Sequence, residues 1–202
     1  MSAGVASTTR RSVYRMEMEM SSLDFTRCSE VPLNDVIRWF LRSERDKHPD
    51  RTQMLQECLD ANDGDLLARY RAYAISLGRD KPGAMTWTGA FPSDDRRCRV
   101  VKWIEAEVLA TALYTKGISP DLRPLIDNCA GRLIDIAAHA PEYPEFKLHR
   151  EPEGDSKRFI GVISPHDATS GRVEVVDGVH RAVTLIYRRH TSLPAYIALT
   201  RD

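Results

Sequence analysis

The chain has no apolar run approaching the roughly 20 residues needed to span a bilayer, so a membrane-crossing helix is not expected. It also lacks net charge. Its 29 Lys and Arg residues balance 29 Asp and Glu residues, so no overall field gathers nucleic acid or an anionic membrane, and any phosphate recognition must be local. Cysteine is sparse: Cys28, Cys58, Cys98 and Cys129 lie far apart, with no Cys-x-x-Cys and no histidine spacing of the zinc-finger kind. They read as reduced, mostly buried thiols. The six histidines are equally scattered, which leaves open only a metal site assembled from distant side chains. Neither an internal repeat nor a low-complexity segment is visible.

The first sixteen residues carry three arginines and no acid, yet no apolar signal-peptide core follows. Residues 1–29 are therefore expected to form a poorly ordered tail on a cytoplasmic protein, although Met16 to Met20 alternates as a strand would. Helical spacing begins after Asn34, a candidate N-cap, with Val36, Ile37, Phe40 and Leu41. A second helix carries Met54, Leu55, Cys58 and Leu59 and ends at the Asn62-Asp63-Gly64 turn, and a third runs from about Asp65 to Gly78. Between Arg79 and Pro92 lies an irregular stretch whose Trp87 and Phe91 either stack on a ligand or anchor a loop. A fourth helix is expected from Ser93 to Gly117, on the spacing of Cys98, Val101, Ile104, Val108, Ala112 and Leu113, with a basic first stretch at Arg96, Arg97, Arg99 and Lys102. A fifth is expected from Ser119, closing before Pro141. The sequence thus divides into a helical portion over 30–140 and a β-containing core over 141–202, an α+β chain in which a small mixed sheet carries the site.

That core contains the most informative stretch. Val173 to Val176, β-branched apart from Glu174, reads as a strand, and Asp177-Gly178 supplies a sharp turn. Val179, Val183, Ile186 and Tyr187 follow at helical spacing. His180 and Arg181 then fall in a first helical turn, where unpaired backbone N–H groups and the positive end of the helix dipole favour an anion such as phosphate. The plainer alternative is a strand-to-helix turn in which Asp177 caps the helix, Arg181 makes a surface ion pair and His180 is incidental.

Asp177-Gly178-Val179-His180-Arg181-Ala182, followed by an apolar helix and Ser192-Leu193-Pro194-Ala195-Tyr196-Ile197, resembles the ParB/sulfiredoxin-like superfamily. Its members include CTP-binding chromosome-partition proteins, sulfiredoxins, free-serine kinases and ParB-like nucleases. The resemblance covers Lys157 to Thr200, with a fainter likeness of Glu30 to Leu33 and Val36-Ile37 to an opening strand and helix. It implies a nucleotide phosphate at the turn. Two departures stand out. Val179 occupies the place of the sulfiredoxin cysteine, so sulfinic-acid repair lacks its nucleophile, and with the sequence running to Asp202 the helix-turn-helix reader of partition proteins is not expected after the closing strand.

The resemblance implies an enzyme that binds a nucleoside di- or triphosphate (ATP, ADP or CTP) with Mg²⁺ and transfers a phosphoryl group to a small hydroxylated substrate, or hydrolyses the nucleotide. Gly178, Val179, His180 and Arg181 would hold the nucleotide. Asp177 would orient His180, bind the metal or accept a proton, and its sequence position does not choose among these. By the kinase analogy a catalytic carboxylate comes from the N-terminal part, at Glu30 or Glu44. Arg181→Ala is expected to abolish ligand-dependent stabilisation while leaving the fold nearly intact. Two alternatives are a nucleotide-dependent, DNA-associated switch, against which the neutral charge counts, and a small-molecule enzyme that keeps the fold without the nucleotide.

Overall fold

A computed structural model of the chain describes residues 28–76, 99–117 and 122–201. The fold is α+β, built on a six-stranded mixed sheet of order β1-β2-β6-β4-β5-β3. The strands are β1 (Cys28–Glu30), β2 (Arg99–Leu109), β3 (Leu113–Tyr114), β4 (Phe159–Ile163), β5 (Val173–Asp177) and β6 (Ser192–Arg201). The pairs β4–β6 and β3–β5 are parallel and the others antiparallel.

Helices cover both faces of this sheet. On one face lie α1 (Leu33–Lys47), α2 (Thr52–Leu59) and α3 (Leu66–Ser76), and their Ile37, Phe40, Leu55 and Tyr70 pack with Trp103, Ile160, Tyr196 and Ala198. On the other face α4 (Arg123–Asn128), α5 (Leu133–His139) and α7 (Val179–Tyr187) bury Leu125, Ile136 and Val183 against Ile104, Phe159 and Ile197. A short α6 (Pro165–Thr169) joins β4 to β5, capped by the Ser164 hydroxyl, which accepts from the Asp167 N–H. Successive strand residues point to opposite faces. Along β6, Leu193, Ala195, Ile197 and Leu199 therefore join one core while Tyr196 and Ala198 join the other.

The helix expected over 93–117 is largely a strand. Ile104, Ala106 and Val108 alternate with Glu105 and Glu107, a period of two that places all three apolar side chains in one core. Strand β2 lies between β1 and β6 and pairs with β6 from Arg99 to Leu109. The helical spacing of Ile104, Val108 and Leu113 arises because four is also a multiple of two and because a separate short element follows. A 3₁₀ turn at Ala110–Ala112 leads into β3. The sheet thus takes strands from both sides of residue 140, and three of them precede it.

The fifth expected helix is two helices. Between them Ala130 and Gly131 take positive φ values of 48° and 71°. A Cβ on Gly131 would meet the Thr115 carbonyl oxygen at 2.3 Å, so glycine alone allows the chain to reverse against β3. Smaller differences occur near the N-terminus. Cys28 and Ser29 belong to β1 rather than to a tail, and Pro32, not Asn34, precedes α1. Asn34 instead donates through Nδ2 to the Asp63 carbonyl at 3.0 Å. The expected Asn62-Asp63-Gly64 turn is present, with the Asn62 side-chain oxygen accepting from the Gly64 N–H at 3.0 Å. Trp87, Phe91, Arg96, Arg97, Cys98 and the alternating Met16 to Met20 stretch lie outside the described residues.

Candidate functional site at the β5–α7 turn

The expected strand, turn and helix are all present: β5 ends at Asp177, Gly178 turns the chain at φ 82°, ψ 23°, and α7 starts at Val179. No side chain caps the helix. A Cβ on Gly178 would lie 2.8 Å from Arg181 Nη2, 2.9 Å from its Nε and 3.1 Å from Phe159 Cβ. Arg181 is thus folded back over the turn, close against the glycine.

Its guanidinium is held from three sides. Nη2 donates to Asp177 Oδ2 at 2.8 Å, Nη1 donates to Ser43 Oγ at 2.8 Å, and the plane lies 5.3 Å from the Trp39 ring centroid. The side chain is 11% exposed, and Nε is buried without a hydrogen-bond partner among the described residues. Arg181 was expected to be removable with the fold nearly intact; its burial and its bond to Ser43 instead link α7 on one face of the sheet to α1 on the other, so a cost to stability is expected. Arg181 can make this link because the turn lies at the end of β5, where the chain passes around the sheet's rim.

Trp39 extends this wall. Its indole N–H donates to the Asp155 carbonyl at 2.9 Å and its ring meets Tyr196 edge-on at 5.4 Å. The Arg158 guanidinium lies 5.3 Å from the Tyr196 ring centroid and pairs with Glu105 and Asp155. Nothing in the local sequence marks Ser43, Trp39 or Arg158 as part of this wall. Only their tertiary placement distinguishes them.

His180 points elsewhere. One residue turns an α-helix by about 100°, so adjacent side chains diverge. The His180 ring stacks on Phe146 at 4.5 Å and meets His149 edge-on at 5.7 Å. Burial, and then the neighbouring His149, push its pKa below the ordinary value, against a smaller opposing effect of the Lys147 backbone. These effects favour the neutral imidazole, and Nδ1 is buried and unbonded among the described residues.

The two expected carboxylates lie in different places. Glu44 is buried on α1, next in sequence to Ser43, with Oε1 at 2.9 Å from Lys47 Nζ and Oε2 at 3.7 Å from His48 Nε2. Glu30 is on β1, exposed and 3.0 Å from Lys102 Nζ. Four strand spacings separate β1 from β5, which places Glu30 roughly 19 Å across the sheet from the turn. The structure therefore brings together Asp177, Gly178 and Arg181, adds Ser43 and Trp39, and turns His180 and Glu30 away.

Among the described residues no group of three His, Cys, Asp or Glu side chains converges as a metal site, and no helix is long and apolar enough to cross a membrane. Burial raises the thiol pKa of Cys28, Cys58 and Cys129, which keeps these cysteines protonated and weakly nucleophilic. No family model matches the chain, and neither the curated proteins nor the solved structures yield a match.

Proposed function

We propose that the β5–α7 turn receives the phosphates of a nucleoside di- or triphosphate, and that the chain moves or releases a phosphoryl group there. The observation that carries this reading is the uncapped start of α7, where a left-handed glycine stands in place of a capping side chain and Arg181 lies across the turn. Free first-turn N–H groups and the helix dipole attract an anion, and phosphoryl transfer asks a protein mainly for positioning and charge stabilisation.

In this reading the N–H groups at the start of α7 donate to phosphate oxygens while Arg181 contributes a charge-assisted hydrogen bond. The pairing with Asp177 holds the guanidinium in place until a more highly charged anion competes for it. Asp177 is the carboxylate of the turn itself, and Mg²⁺ would arrive with the phosphates, as is usual for an ion that retains much of its own hydration. Neither Glu44, which pairs with Lys47 and His48, nor Glu30, which lies across the sheet, stands at the turn, so in this reading Asp177 is the carboxylate that serves an acceptor hydroxyl. His180, stacked on Phe146, serves the wall behind the turn rather than the phosphate.

A thermal-shift series with ATP, ADP, CTP and GTP, each with and without Mg²⁺, tests the reading. A ligand at a hundredfold its Kd adds about 2.7 kcal/mol to native stability, so at least one nucleotide should raise the Tm saturably. The reading fails if none does so at millimolar concentration.

A further inference from the structure

We propose that a second ligand site lies at the opposite end of α7, in a cavity that takes a small amphipathic anion, with an apolar body between α5 and α7 and an anionic head on Arg189. The cavity measures about 520 Å³, within the range of roughly 300–1,000 Å³ typical of small-molecule pockets. Ile134, Ala137, Ala138, Ile186 and Ala110 supply its apolar walls. The nine residues of α7 separate it from the Asp177–Gly178 turn by roughly 13 Å along the helix, so it belongs to a different site.

The rim sets the sign of the ligand's charge. No acidic side chain lines the cavity, while Arg189 and His190 do. His190 is engaged, its Nε2 lying 3.1 Å from Glu151 Oε1. The exposed Arg189 side chain has no hydrogen bond or ion pair among the described residues.

The backbone at Arg189 gives a second, independent reason. The Arg189 N–H bonds to the Ile186 carbonyl at 2.9 Å and the His190 N–H to the Leu185 carbonyl at 3.1 Å. This is a Schellman ending of α7, in which the left-handed position normally falls to glycine. Arg189 occupies it at φ 72°, a conformation that strains an L side chain. The left-handed conformation closes α7 with these two backbone bonds, yet a residue with a long side chain stands where glycine would do so without strain, and its guanidinium is left free at the cavity rim, as suits a ligand-binding residue. The same two backbone bonds satisfy carbonyls whose negative dipole would otherwise repel an anion.

The test is calorimetric titration of the full chain at neutral pH with octanoate, octanol and octylamine, repeated with Arg189→Gly and Ala138→Trp. Glycine suits the left-handed position and Ala138 is exposed, so both variants should fold. Octanoate should bind one to one and more tightly than octylamine. Arg189→Gly should weaken octanoate roughly tenfold or more while leaving octanol unchanged, and Ala138→Trp should weaken both. The proposal is overturned by equal affinity for octanoate and octylamine, by unchanged octanoate affinity in either variant, or by the lack of saturable octanoate binding up to its solubility limit.

Discussion

Arg181 Nη1 donates to Ser43 Oγ at 2.8 Å across 138 positions of sequence, joining the first turn of α7 to α1 on the opposite face of the sheet. With the Asp177 pair and the Trp39 ring, this contact makes the guanidinium a structural link as well as the candidate phosphate ligand. A cation already fixed in position loses little conformational freedom when an anion arrives.

Arg181→Ala should consequently destabilise the ligand-free protein, by about 1–3 kcal/mol, because it breaks charge-assisted hydrogen bonds and leaves Asp177 unpaired. Ser43→Ala removes one bond only and should cost about 0.5–1.5 kcal/mol. Urea unfolding of both variants measures the difference. Equal stability of Arg181→Ala and wild type would mean that the link carries no net energy.

Gly178→Ala should also be harmful. Its φ of 82° and the Phe159 Cβ at 3.1 Å from a new methyl group both oppose the substitution. A loss of about 1–3 kcal/mol is expected from the backbone conformation, read as a lower urea midpoint. An unchanged midpoint would show that the turn can relax.

The β5–α7 turn was legible in the sequence because its signals are local: a β-branched run, an Asp-Gly pair and four apolar residues at helical spacing. Strand β2 was not, because it is stabilised by its neighbours β1 and β6 in the sheet, and its Ile104–Val108 spacing fits a helix template equally well. The sequence placed His180 and Arg181 together, as consecutive residues must be. It did not show that the helix would direct one toward Phe146 and the other toward Trp39, since those partners come from distant segments. For the same reason Ser43 and Trp39 carried no sequence signal of their own.

His180 predicts a pH dependence. Its folded pKa lies below the ordinary value of 6.5, so between the two values the unfolded chain binds more protons than the folded one, and stability falls as pH drops through that window. His149, stacked edge-on against it, adds to the cost of a charge there. His180→Phe should flatten this part of the stability profile, as measured by urea midpoints from pH 7.5 to 5. A slope that survives the substitution would assign the dependence to other groups.

The absence of net charge predicts weak binding to duplex DNA. Titration of a labelled duplex at low and moderate salt should give no submicromolar affinity, whereas tight binding with a steep salt slope would favour a DNA-associated switch over an enzyme.

Amide NMR reads directly where a nucleotide phosphate binds. On titration with the nucleotide that gives the largest thermal shift, the amides of Gly178, Val179, His180 and Arg181 should move together and saturably, with the Arg181 Nε–H signal following them. Saturable binding that leaves these four amides in place while shifting others, or no shift at all at millimolar nucleotide, would contradict a phosphate site at the start of α7.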